Sequence, residues 1–181
     1  NFYMDETQVT NHQYVEFLNQ VVSRLKVENG LVWNDGDLWL MLGEIFPGYE
    51  PVVFQDGKFH IHSSLHATCP VLRVTAYGAS AYASFFGRRL LTEAEWLHAT
   101  IKGGEQRILP GEASHSLEAP KEGNVLVVPD RPQKGSGVAG STMPMAVSPV
   151  GLFEPNAFGI RGLGREVGEW AVRTLSPPSD S

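Results

Sequence analysis

Apolar side chains recur at helical spacing in the first strong segment, "TNHQYVEFLNQVVSRLK", residues 10–26. Tyr14, Phe17, Leu18, Val21, Val22 and Leu25 fall on one stripe, which predicts an amphipathic helix over those residues. Thr10 followed three positions later by Gln13 reads as a capping box at its start. A second helix is predicted over residues 75–86. There Tyr82, Phe85 and Phe86 supply bulk, Ala79, Ala81 and Ala83 permit close approach, and Gly87 ends the run. A third begins at Thr92, with Glu95 completing a capping box and Glu93 in the first turn, where the helix dipole favours an acid. It runs to about Ile101 and stops at Gly103-Gly104.

Between the first two helices, residues 27–70 read as loops and short strands. "VVFQDGKFHIH" places apolar runs on both sides of Asp56-Gly57, a hairpin signal. Trp33, Trp39 and Tyr49 predict packing there despite an irregular backbone. Residues 104–149 are rich in Gly, Ser, Pro and charge, with one predicted strand at "NVLVV", residues 124–128. Residues 1–175 are expected to form one domain and residues 176–181 a disordered tail. Two to three helices with several short strands make the expected class α+β.

Composition narrows the partners. The chain has 181 residues, 42% of them hydrophobic, enough for one core. Its 19 Gly and 12 Pro predict many turns. The formal charge of −6 and the absence of any basic run longer than Arg88-Arg89 argue against nucleic acid. No stretch approaches the roughly 20 apolar residues of a membrane helix. Cys69 is the one cysteine, which excludes an internal disulfide and a multi-thiolate zinc site within these residues. His60, His62 and His66 cluster in "FHIHSSLH", and the first two share a strand face. With no further ligand at metal spacing, a half-exposed strand with Phe59 and Ile61 inward is the better reading.

Four blocks in order carry a resemblance: "FYMDETQVTNHQYVEFLN", "CPVLRVTAYGASAYASFFGRRLLTEAEWLHATIKGG", "EGNVLVV" and "SPVGLFEPNAFGIRGLGREVGEW". Together they are similar to the formylglycine-generating enzyme, or sulfatase-modifying factor, family; "GRRLLTEAEW" is the most specific piece. The resemblance implies a variant of the C-type-lectin fold, low in regular secondary structure. It assigns Arg88, Arg89 and Trp96 to the frame of the fold. Sulfatase-maturing members resemble copper oxidases that use two cysteines in a C-terminal part, after an "NVWEW"-type segment. Here that segment is "EVGEW", no cysteine follows Cys69, and no copper site is expected in this chain.

The resemblance also implies loop-bound Ca²⁺. Asn124 and Val125 fit the first half of one site, without the later Asp. At a second, Glu169 is kept, Glu166 could add oxygen, and Arg165 brings a cation to the spot. Metal replacement by ion pairing of Arg165 and Glu166 is the alternative there. Three functions stay open. The first is a non-catalytic binding or assembly module with a protein, peptide or glycan partner, acting outside the cytoplasm in the periplasm or after secretion. Its expected surfaces are residues 104–145 and the aromatic loops from Trp33 to Tyr49. The second is a formylglycine-generating or related metal-dependent oxidase whose catalytic cysteine segment lies outside this chain. The third is a structural subunit of a larger assembly.

Overall fold

The computed structural model describes residues 2–103, 147–164 and 167–173. The predicted strand at residues 124–128 and the predicted tail lie outside them.

Helix α1 spans Asn11–Val21 and carries the full capping box: the Thr10 side chain accepts from the Gln13 amide, and Gln13 reaches back to the Thr10 N–H. It ends five residues earlier than the apolar stripe suggests. A 3₁₀ turn over Val22–Arg24 follows, then strand β1 at Lys26–Glu28. Val22 and Leu25 still pack against the core from the turn, so the stripe outlives the helix.

The segment after it is a three-stranded antiparallel meander of β1, β2 (Leu31–Asn34) and β3 (Asp37–Met41). Its two tight turns are Asn29-Gly30 and Asp35-Gly36, all four residues at positive φ. The hairpin at Asp56-Gly57 joins β4 (Val52–Gln55) to β5 (Lys58–Ile61), in register Val52↔Ile61 through Gln55↔Lys58. Asn19 docks this hairpin on α1, its amide accepting from the Phe59 N–H and donating to the Phe59 carbonyl, both at 2.9 Å.

Helix α2 (Ala76–Phe85) is capped by Thr75. The Thr75 N–H also donates to the Trp39 carbonyl, tying the helix start to β3. Gly78 sets the approach of α2 to β3, a role the sequence pattern assigned to the neighbouring alanines. A Cβ there would lie 2.6 Å from the Tyr14 hydroxyl and nearer still to the Trp39 carbonyl. The core gathers Tyr14, Phe17, Leu18 and Val21 of α1 with Val32, Trp39, Leu40, Val52, Phe59 and Tyr82. Tyr14 stacks on Tyr82 and Phe17 on Trp39.

Helix α3 (Glu93–Lys102) starts from the Thr92/Glu95 capping box and stops at Gly103. The two-residue strand β6 (Leu91–Thr92) immediately precedes it and pairs in parallel with β7 (Ala171–Val172). That pairing brings the C-terminal described segment against α3. A smaller cluster of Ala99, Ile160 and Leu163, with Met4 and Trp96 beside it, forms the second core. No helix among the described residues is long and apolar enough to cross a membrane.

Candidate functional site

A cavity of about 1040 Å³ lies where the N-terminal segment, α2, the strand before α3 and the C-terminal segment converge. Met4, Phe46, Leu72, Val74, Leu91 and Leu163 give it apolar walls. Each segment is there for a local reason. Pro70 pairs with Thr10 in an isolated bridge and Val74 with Leu40, which lays residues 70–74 along the core. The β6–β7 pair sets Glu169 and Trp170 opposite, and the Trp170 indole N–H donates to the Val74 carbonyl at 2.8 Å.

Glu169 is the polar centre of the wall. Its Oε2 accepts from the Trp96 indole N–H at 2.6 Å. Its Oε1 accepts from Gln8 Nε2 at 2.7 Å and, more weakly, from the Gly164 N–H at 3.4 Å. The residue as a whole is half-buried, and the carboxyl end is the enclosed part. Burial raises the carboxyl above its ordinary range, while the bonds from Trp96, Gln8 and Gly164 pull the other way. All three donors are neutral, so no cation offsets that burial.

Four arginines line the cavity: Arg73, Arg88, Arg89 and Arg161. Arg88 holds Asp5 with both carboxylate oxygens within 2.7 Å, and Arg161 holds Glu6 at 2.7 Å. Arg89 forks onto Glu95 at 2.6 and 2.7 Å. That guanidinium, with the Thr92 backbone N–H, holds the Glu95 carboxyl down at about 2. Arg88, Arg89 and Trp96 are thus each engaged with a carboxylate of the same chain. Arg73 has no such partner among the described residues and sits at φ 57.

Of the residues expected to hold calcium, Asn124, Val125 and Glu166 lie outside the described residues. Glu169 is described, and both its oxygens already accept hydrogen bonds. Among the described residues no group of three His, Cys, Asp or Glu side chains could hold a metal ion. Of the four expected ligands, the described residues thus include Glu169 alone.

The histidines separate by environment. His60 is exposed on β5 opposite Val53, with Phe59 buried behind it. His62 points Nδ1 at Glu50, 3.6 Å from its carboxylate. His66 packs its ring 4.6 Å from that of Tyr49, and burial lowers its pKa. Cys69 is fully buried, its thiol facing the carbonyls of Leu65 and Val147 at 3.8 and 3.9 Å. Asn11 links the same cluster, donating to the His66 carbonyl at 2.9 Å and, at the longer 3.4 Å, to the Tyr49 hydroxyl. Burial pushes that phenol up to about 12. None of these groups lines the cavity.

The expected recognition surfaces divide. Residues 104–145 lie outside the described residues. Within the aromatic stretch Trp39 belongs to the core, Trp33 lines a separate groove beside β1, and Ile45 and Phe46 reach the cavity. Sequence reasoning missed Gln8, Arg73 and Gly78. No signal in the single sequence links Gln8 to Glu169, which stand 161 positions apart.

The bond from Trp96 to Glu169, 73 positions apart, joins two of the blocks that carry the resemblance. The sulfatase-modifying factor enzyme 1-like domain matches residues 1–180. The chain belongs to this family. It is 25% identical to the formylglycine-generating enzyme of Mus musculus over 93% of this chain and 48% of that protein. It is 33% identical to the formylglycine-generating enzyme of Mycobacterium tuberculosis over 60% of this chain and 34% of that protein. It is 36% identical to the serine/threonine-protein kinase pkn1 of Chlamydia caviae over 61% of this chain and 16% of that protein. The chain thus spans about half the length, or less, of these curated relatives. No solved structure matches.

Proposed function

We propose that this chain is a non-catalytic binding or assembly module on the lectin-like variant of the family's fold, and that the 1040 Å³ cavity receives its partner. The cavity is the observation that carries the reading: its walls are mostly apolar with a few charged groups, and it is of the size that ligand sites have. Two soft thiolates would be needed to hold Cu(I), and these 181 residues contain one cysteine. That thiol is buried against backbone carbonyls, away from the cavity. The test is direct. Supplied with copper, oxygen and a cysteine-containing peptide, the 181-residue chain should leave the peptide cysteine unchanged by mass spectrometry. Conversion to formylglycine overturns the proposal.

A second reading has one observation in its favour. Two of the relatives above are formylglycine-generating enzymes, and the chain spans 48% and 34% of their lengths. In that reading this stretch is the framing part of an oxidase whose cysteine pair lies elsewhere. Intact mass of the protein from its native source separates the two: a longer chain bearing two further cysteines favours the oxidase.

A further inference from the structure

Among the described residues only four other than glycine adopt positive φ. Asn29, Asp35 and Asp56 each precede a glycine in a hairpin turn, where that conformation is expected. Arg73 is the exception, at φ 57. Left-handed backbone costs a residue such as arginine about 1 kcal/mol or more, whereas Gly or Asn adopts it freely. The turn itself is fixed by its neighbours: the Arg73 carbonyl accepts from the Met41 N–H at 3.2 Å, and Val74 bridges to Leu40. Glycine would make the same turn without strain. The arginine side chain is what the strain retains.

Its place gives that side chain a task. Arg73 lines the cavity between Leu72 and Val74. The other three cavity arginines are each matched to a carboxylate, Asp5, Glu95 or Glu6. Of the neutral polar groups of the wall, Gln8 is committed to Glu169 and the Trp170 indole to Val74, while the Tyr14 hydroxyl is without a hydrogen-bond partner among the described residues. Apolar side chains, Met4, Phe46, Leu72, Val74, Leu91 and Leu163 among them, make up most of the rest of the wall and suit a hydrocarbon body. Among the cationic groups of the wall, Arg73 is the one without a carboxylate partner among the described residues.

We infer that the cavity binds a small molecule with a hydrocarbon body and a single carboxylate, the carboxylate paired with Arg73. This deepens the binding-module reading and rests on it. The guanidinium fork matches a carboxylate in two parallel hydrogen bonds. Because Arg73 is exposed at the rim, screening holds the gain from that pair to about tenfold in affinity.

The probes are decanoate and its uncharged counterpart decanol, titrated into the 181-residue chain by calorimetry, with intrinsic tryptophan fluorescence as a second readout. Decanoate should bind with one-to-one stoichiometry and about tenfold more tightly than decanol. Arg73→Gly should abolish that preference while its melting temperature holds or rises, since glycine relieves the strain. If both probes bind alike in the parent chain, the carboxylate inference fails and the cavity remains the binding site. If neither binds, the cavity is not a binding site and both readings fail. A preference for decanoate that survives Arg73→Gly likewise overturns the role of Arg73.

Discussion

Glu169 is the group on which the cavity wall turns, and its removal has a magnitude that can be worked out. Glu169→Ala leaves three N–H donors to find new partners. The Trp96 indole loses its only partner, a 2.6 Å bond. Gln8 loses its 2.7 Å bond but keeps a donation to the Gly162 carbonyl at 3.2 Å. The Gly164 N–H, at 3.4 Å, was weakly bound to begin with. An orphaned buried donor costs about 1–3 kcal/mol, so the sum is about 3 kcal/mol, carried mostly by Trp96. Glu169→Gln behaves differently. Its carbonyl can still serve Gln8 and Gly164, but its amide meets the Trp96 N–H donor to donor, for a cost of about 1 kcal/mol. The sign with pH also follows. Burial raises the Glu169 pKa in the fold, so its contribution is fully present below the unfolded value of about 4.5 and falls as pH rises through the folded value. The parent chain should therefore lose stability relative to Glu169→Gln as pH increases above about 4.5. Urea denaturation at a series of pH values measures both effects. The same melts with and without calcium ask whether Glu169 is a metal ligand: any calcium shift should be equal in the parent and in Glu169→Gln. An Ala variant within about 0.5 kcal/mol of the parent, or a calcium shift lost in Glu169→Gln, refutes the hydrogen-bonded wall.

Three further outcomes are expected. Gly78→Ala drives a Cβ into the Trp39 carbonyl and to within 2.6 Å of the Tyr14 hydroxyl. The overpacking penalty of about 1–3 kcal/mol should outweigh the gain in helix propensity of about 1 kcal/mol, and chemical denaturation should show a net loss; a stabilised variant would mean that α2 stands further from β3. Tyr14→Phe removes a buried hydroxyl that has no hydrogen-bond partner, and should be neutral or stabilising by up to about 1 kcal/mol in the same assay. Glu95 should titrate near 2 by carboxyl NMR, so that its support of α3 is present above about 4.5 and fades as pH falls towards 2; Arg89→Gln should move its midpoint up towards 4.5.

The legible parts of the fold are those written within a few residues. Thr10 with Gln13 and Thr92 with Glu95 predict two helix starts, and each capping box is formed by both partners. Asp56-Gly57 predicts a hairpin that exists. Asn29-Gly30 and Asp35-Gly36 are the same signal, yet the run of residues 27–70 read only as loops and short strands. The end of α1 was misread because apolar periodicity reports burial: Val22 and Leu25 stay on the core side after the backbone has left the helix. The site was less legible, because its contacts join distant positions. Gln8 to Glu169 and Arg161 to Glu6 are separated by 161 and 155 residues, and neither member of either pair carries a local cue to the other. Glu169 was singled out as a metal ligand because a carboxylate in a familiar segment offers oxygen. Only packing shows that its oxygens accept from Trp96 and Gln8.

This division explains what the family resemblance does and does not report. The residues that carry it most specifically are spent on one another: Arg89 on Glu95, Glu95 on the Thr92 N–H, Trp96 on Glu169. A group whose hydrogen bonds are all internal holds the frame and has little left for a ligand. Chemistry particular to one member must then come from groups the frame leaves over, and among the cationic groups of the cavity wall that is Arg73, at a position where arginine strains the backbone. Two kinds of variant should therefore separate. Changes at Trp96, Glu169 or Arg89 should appear first as lost stability, with ligand affinity following only as the wall loosens. A change at Arg73 should appear as lost ligand preference with stability intact, and the opposite pattern would place the frame and the recognition in the same residues.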